Sequence, residues 1–61
     1  MRIALIPNLD KNHALEYTIR LCRMLRAWGA EPMLPLYILY FAGEGAQGRL
    51  RKTLINAAGF V

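Results

Sequence analysis

The chain has 61 residues, of which 56% are hydrophobic and 20% are charged. This composition excludes intrinsic disorder, which combines low hydrophobicity with high net charge, and the length allows one small domain. One cysteine and one histidine exclude a disulfide framework and a zinc site built from Cys and His. A domain this small without cross-links usually needs a partner or the rest of a larger protein, so we interpret it as a fragment.

The charge balance favours anionic partners. Eight basic residues against four acidic ones give a net charge of +4, but no run of five like charges indicates a nucleic-acid tail. The N-terminal apolar stretch ends at Pro7, too early for a secretion signal, and residues 36–42 are far fewer than the roughly 20 needed to cross a bilayer. We therefore expect a soluble, cytoplasmic chain that does not bind membranes.

The first half of the chain predicts a strand, a loop and a helix. Residues 3–6 form an apolar run typical of a strand buried on both faces of a parallel sheet. Residues 7–12 are rich in turn formers, and Asp10 or Asn12 is expected to cap the helix over residues 13–28. The apolar half of this helix is predicted to comprise Ala14, Tyr17, Thr18, Leu21, Cys22, Met24, Leu25 and Trp28.

The other half of that helix is charged, and we expect it to face solvent. Glu16 precedes Arg20 by four residues, a spacing that favours an ion pair. Gly29 is predicted to end the helix. Cys22 is expected to be a buried, inert thiol, and His13 an exposed residue of the first turn.

The second half predicts a strand, a glycine-rich loop and a helix. Residues 36–41 are apolar and aromatic and indicate a strand, whose Tyr37, Tyr40 and Phe41 we assign to the core together with Trp28. Residues 42–48 form the loop, and residues 49–58 a second helix stopped by Gly59. The order predicts an α/β protein, a small Rossmann-like β-α-β-α fragment with parallel strands.

Candidate site residues follow both predicted strands. Gly43 and Gly45 would let backbone N–H groups approach a phosphate, and Glu44 would act as a general base or magnesium ligand. Asn8 follows the first strand and would reach the same edge of the sheet, and Arg49 would add positive charge there. The alternative is that residues 43–45 are a plain turn without a ligand.

Several short stretches of the first 35 residues are similar, in type and order, to the motifs of a known protein family. They are Met1-Arg2-Ile3-Ala4-Leu5-Ile6-Pro7-Asn8, Asp10-Lys11, Ala14-Leu15-Glu16, Trp28-Gly29-Ala30-Glu31 and Leu34-Pro35. Together they resemble the N-terminal region of bacterial NAD kinases, which open with a strand, a Pro-Asn or Asn-Pro turn, a lysine and a helix closing in a Gly-x-Glu step. More weakly, residues 36–52 resemble that family's strand, Gly-Gly-Asp-Gly-Thr signature and helix.

The resemblance implies an activity and roles for the loop residues. The family transfers a phosphoryl group from ATP, with Mg²⁺, to the 2′-hydroxyl of NAD to give NADP. Glu44 would take the acidic catalytic role of the signature aspartate, and Gly43 and Gly45 the backbone role at the nucleotide phosphates. The family's later Asn-Glu motif and its NAD-binding β-rich domain are not within residues 1–61, so we expect a partial N-terminal domain that is inactive alone.

The connection at Pro35 is too short for two separate parallel strands. A parallel crossover needs about a dozen residues or more, but only Pro35 separates Leu34 from Leu36. We expect either one bent strand over residues 33–41 or a deletion or frameshift after Pro35. The alternative function, from a different class, is a small basic α/β interaction module that forms homo-oligomers or binds an anionic partner without catalysis.

Overall fold

The structure is a computed structural model that describes residues 1–42 and 46–61. In chain order, the elements are β1 (Arg2–Ala4), α1 (Ala14–Ala27), β2 (Glu31–Leu34), α2 (Ile38–Phe41), α3 (Ala46–Ala57) and β3 (Gly59–Phe60). The strands form one parallel sheet in the order β1–β2–β3. The predicted α/β class with parallel strands is therefore confirmed.

The sheet is completed by a third strand that the sequence analysis missed. Gly59 was predicted only to stop a helix, but it begins β3 and lies opposite Met33 of the central strand. The pairing continues to Val61, whose N–H donates to the Leu34 carbonyl at 3.0 Å. An isolated pair of strands is only marginally stable, so the third strand, β3, is expected to stabilise the sheet.

One core lies between the sheet and the helices. Leu34 of β2, Ile38 of α2 and Leu54 of α3 are fully buried in it, together with Cys22 of α1. The two long helices also meet directly, because the Arg26 guanidinium donates to the Asn56 carbonyl at 2.7 Å. The core is therefore shared by all three helices and the central strand.

Helix α1 agrees with the prediction in length but differs in the face that it buries. Its buried residues are Leu15, Thr18, Ile19, Cys22 and Leu25. Trp28, assigned to the core, is 74% exposed, and Tyr17, Leu21 and Met24 are exposed as well. The predicted apolar half was misplaced, since it contained these four exposed residues and left out Leu15 and Ile19, which are buried. Hydrophobic spacing alone cannot show which part of a broad apolar face meets the sheet.

The predicted strand over residues 36–41 is wrong. Strand β2 ends at Leu34, and the short helix α2 follows, with the Ala42 N–H donating to the Ile38 carbonyl at 3.2 Å. Both edges of β2 are already paired, so these residues have no sheet position beside it. Ile38 and Ala42, four residues apart, are buried, and the aromatic side chains assigned to the core, Tyr37, Tyr40 and Phe41, are exposed.

The interpretation of residues 33–41 as one bent strand is also wrong, because residues 38–41 form helix α2.

Strand β1 is less buried than predicted. This strand lies at an edge of the sheet, with Ile3 half-buried and Arg2 and Ala4 exposed. Arg2 forms an exposed ion pair with Glu31 at 3.2 Å on the neighbouring strand. A continuous apolar run therefore predicted the strand but not the number of its covered faces.

Candidate functional site

A concavity lies where the loop after β1 leads into α1. It has a volume of about 420 Å³. The loop after β1 and the first turn of α1 form one side, and Phe41 of α2 and Leu50 of α3 form the other. Its lining comprises Leu9, Asp10, Lys11, Asn12, His13, Ala14, Leu15, Glu16, Phe41 and Leu50. The cavity is lined by the loop that follows the carboxyl end of an edge strand, and ligands bind on that side of α/β sheets.

The loop that forms one wall is shaped by Asn8. The Asn8 side-chain oxygen accepts the Asp10 N–H at 3.1 Å, and its carbonyl accepts the Lys11 N–H at 3.2 Å. These bonds make an Asx-type turn, a local conformation that asparagine favours. Asn8 therefore stabilises the conformation of the loop but does not itself line the cavity.

The predicted helix cap by Asp10 or Asn12 is wrong. His13 takes the N-cap position with a left-handed backbone, φ 61°, and no described side chain caps α1. Left-handed backbone does not present a side-chain oxygen to the first turn as a usual N-cap does. The N–H groups of that turn therefore have no side-chain acceptor within the described part of the chain.

The His13 and Glu16 side chains contact each other across the first turn of α1. His13 Nδ1 lies 3.2 Å from the Glu16 carboxylate, and both side chains are exposed. This contact replaces the expected pair of Glu16 with Arg20, whose guanidinium lies instead 5.9 Å from the Tyr17 ring centre. The cavity lining carries both signs of charge, with Lys11 beside Asp10 and Glu16.

The two predicted site residues that the structure describes, Asn8 and Arg49, do not meet in the cavity. Arg49 is exposed on α3, and it is the next residue, Leu50, that lines the cavity. Gly43, Glu44 and Gly45 lie outside the described residues. The described residues before them form helix α2 and not a strand, so the predicted strand, glycine turn and helix arrangement lacks its strand.

Phe41 and Leu50 are lining residues that the sequence analysis did not assign to a site. Phe41 was placed in a core strand, and Leu50 was placed only on the apolar face of the second helix. Phe41 belongs to helix α2, and its side chain is 58% exposed at the cavity, whereas Ile38 and Ala42 of the same segment are buried. Without that helix, nothing in the sequence directs Phe41 toward the loop after β1.

A second, more apolar groove runs on the other side of that loop. It has a volume of about 330 Å³ and lies between the end of β1 and the exposed side of α1. Ile6, Tyr17 and Leu21 line it, and all three side chains are exposed. Lys11 reaches both concavities.

Neither a metal-binding cluster nor a membrane-spanning helix lies within the described residues. Within residues 1–42 and 46–61, no three His, Cys, Asp or Glu side chains are grouped so that they could hold a metal ion. No helix in the same ranges is both long and apolar enough to span a bilayer.

Comparison with known proteins gives no relative. No protein-family model matches the chain, and neither a curated protein nor a solved structure matches it significantly.

Proposed function

We propose that this chain binds a magnesium–nucleotide complex in the cavity after β1, as the N-terminal part of an ATP-dependent kinase of the NAD kinase type. The observation that supports this best is the position of the cavity, at the carboxyl end of a parallel strand and at the start of α1. We also propose that β1, α1 and β2 are the first unit of a Rossmann-like sheet.

The polar side of the cavity suits phosphate groups. The Lys11 ammonium is a compact positive charge in the lining, and a lysine binds phosphate as a point charge. The first turn of α1 adds the positive end of a 14-residue helix. Phosphate oxygens would therefore lie between Lys11 and the start of α1.

The apolar side of the cavity suits a nucleoside. Phe41 presents an aromatic ring that is 58% exposed, and Leu9 and Leu50 are half-buried beside it. A base can stack on such a ring, and a stacked base contributes about 1–3 kcal/mol to binding. The arrangement favours a ligand with both a base and phosphates over a bare anion.

Magnesium fits the acidic residues of the lining only as part of the nucleotide complex. Mg²⁺ is usually held by one or two carboxylates together with substrate phosphates, and Asp10 supplies a carboxylate beside Lys11. Bound there, the metal would neutralise phosphate charge. By the resemblance, Glu44 would supply the acidic group of the reaction.

The chain alone is expected to bind but not to catalyse. Phosphoryl transfer depends on positioning and charge stabilisation by many groups, and this cavity offers one lysine and one helix start. Incubation of the chain with Mg-ATP and NAD should therefore yield no NADP.

Titration with Mg-ATP tests the proposal. Backbone amide signals of residues 9–16 should shift at millimolar nucleotide, and adenosine without phosphates should shift them less. Lys11→Gln should weaken Mg-ATP binding about tenfold, as expected for loss of a charged hydrogen bond of about 1.5 kcal/mol. The matched control is Lys52→Gln, since Lys52 is the other lysine and lies outside the cavity lining.

Two results would contradict this function. One is the absence of any amide shift at millimolar Mg-ATP. The other is equal weakening by the Lys11 and Lys52 substitutions, which would show that only net charge attracts the nucleotide.

A further inference from the structure

Helix α1 exposes a row of large apolar side chains that its own core does not use. Tyr17, Leu21, Met24 and Trp28 are 59%, 40%, 50% and 74% exposed. We call this set the outer stripe. It lies beside the buried face of α1, and its first two members also line the apolar groove that ends at Ile6. Contiguous exposed apolar patches on small proteins mark interaction sites.

The spacing of the outer stripe is that of a helix-packing seam. Its members follow one another at intervals of four, three and four residues, which is the a and d pattern of a heptad repeat. The sequence of intervals is the same when it is counted from Tyr17 or from Trp28. A symmetric antiparallel contact between two copies places Tyr17 opposite Trp28 and Leu21 opposite Met24 of the second copy, as an isologous interface requires.

The available area fits a reversible dimer. A free aromatic side chain offers about 150–250 Å², so the uncovered parts of Tyr17 and Trp28 provide roughly 250 Å² per chain. Ile6, Leu21 and Met24 add a comparable apolar area. The resulting interface of roughly 1,000 Å² in total lies at the weak end of specific protein contacts, below about 1,200 Å².

We propose that the outer stripe is a self-association surface, through which two copies of this chain pack their α1 helices antiparallel. The proposal is independent of nucleotide binding, because the cavity after β1 opens between that loop and helices α2 and α3. Each chain carries a net charge of +4, so the dimer should strengthen as salt screens the repulsion between copies.

Sedimentation equilibrium and Trp28 fluorescence test this surface on the full chain. The mass should rise from monomer to dimer with concentration, and the emission of the single tryptophan should move to shorter wavelength over the same range. Leu21→Glu should raise the dimer dissociation constant about a hundredfold or more, because it places a charge in the centre of the seam. Ile55→Glu, at a similarly exposed apolar position of α3, should leave the constant within about threefold.

Three results would overturn the proposal. They are a monomer at millimolar concentration in high salt, a dimer that Leu21→Glu leaves intact, and Trp28 emission that does not change while the dimer forms. Circular dichroism of each variant checks that helix content is kept. If Leu21→Glu fails to fold, the wild-type fluorescence series and the milder Leu21→Gln decide the outcome.

Discussion

Cys22 shows how burial sets the chemistry of a single side chain. The thiol has no exposed surface, and burial raises its pKa above the usual 9.0, although the nearby Arg26 guanidinium acts in the opposite direction. Only the thiolate is a nucleophile. The predicted inert thiol is confirmed as a buried residue.

Alkylation of Cys22 should therefore require unfolding. At pH 8, iodoacetamide should label the native chain much more slowly than the chain in urea, because the native thiol is both covered and protonated. Equal labelling rates in the two states would contradict this burial.

The raised pKa of Cys22 makes the stability of the chain depend on pH. The thiol is neutral in both states below pH 9, so its contribution is fully present there. As pH rises above 9, the unfolded chain ionises first, and this contribution to the free energy of unfolding is lost. Urea unfolding of wild type and Cys22→Ala should show their stability difference becoming smaller from pH 8 to pH 10.

Helix α3 places two adjacent aliphatic residues in opposite environments. Leu54 is fully buried in the shared core, whereas Ile55 is 51% exposed. Substitutions at these two positions therefore distinguish the free energy of core packing from the helix propensity of the segment.

Leu54→Ala should destabilise the chain by about 2–5 kcal/mol, the usual cost of a cavity in a core. A 61-residue domain has a total stability of only about 3–9 kcal/mol, so this variant should lose roughly half of it. Ile55→Ala should change the free energy of unfolding by less than about 1 kcal/mol. Thermal melts followed by circular dichroism compare the two, and equal losses would contradict the described orientation of α3.

Helix α1 was predictable because it carries a long apolar periodicity and a breaker residue. Gly29, with φ 86°, ends this helix in the left-handed conformation that glycine favours. Helix α3 was predicted over residues 49–58 but runs over Ala46–Ala57, so its first turn lies in the predicted loop. Residues 36–41 were not predictable in the same way, since an aromatic run of six residues fits a strand or a helix. Only the pairing of β2 on both edges excludes the strand.

Neither of the described residues that were predicted for the site, Asn8 and Arg49, lines the cavity. Lys11 follows a predicted strand and reaches the cavity, as the carboxyl-edge rule implies. Phe41 reaches it from helix α2, which depends on contacts far apart in the sequence. Glu44 lies outside the described residues, so its role stays a prediction.

At the scale of the whole molecule, pairing in the parallel sheet determines which backbone groups of β1 and its flanking residues form hydrogen bonds to β2. The Leu5 N–H donates to the Met33 carbonyl at 2.9 Å, and the Met1 carbonyl accepts the Glu31 N–H at 2.8 Å. In a parallel ladder the alternate residues, here Arg2 and Ala4, direct their N–H groups away from the partner strand.

Amide hydrogen exchange should therefore alternate along β1. The Leu5 amide should exchange on the order of a hundredfold more slowly than that of Ala4, since only the former is bonded within the sheet. The Leu36 amide, which donates to the Val61 carbonyl at 3.0 Å, should be protected as long as β3 is in place. Equal exchange at Leu5 and Ala4 would contradict the parallel pairing.

The sheet also determines how the chain would respond to a pulling force. Met1 lies at the amino end of one edge strand, and Val61 follows the carboxyl end of the other edge strand. Because all three strands are parallel, pulling these two residues apart slides the edge strands in opposite directions past β2. The interstrand hydrogen bonds are then loaded together in shear and cannot open one at a time, so a protein of marginal thermodynamic stability should be mechanically stiff along this axis.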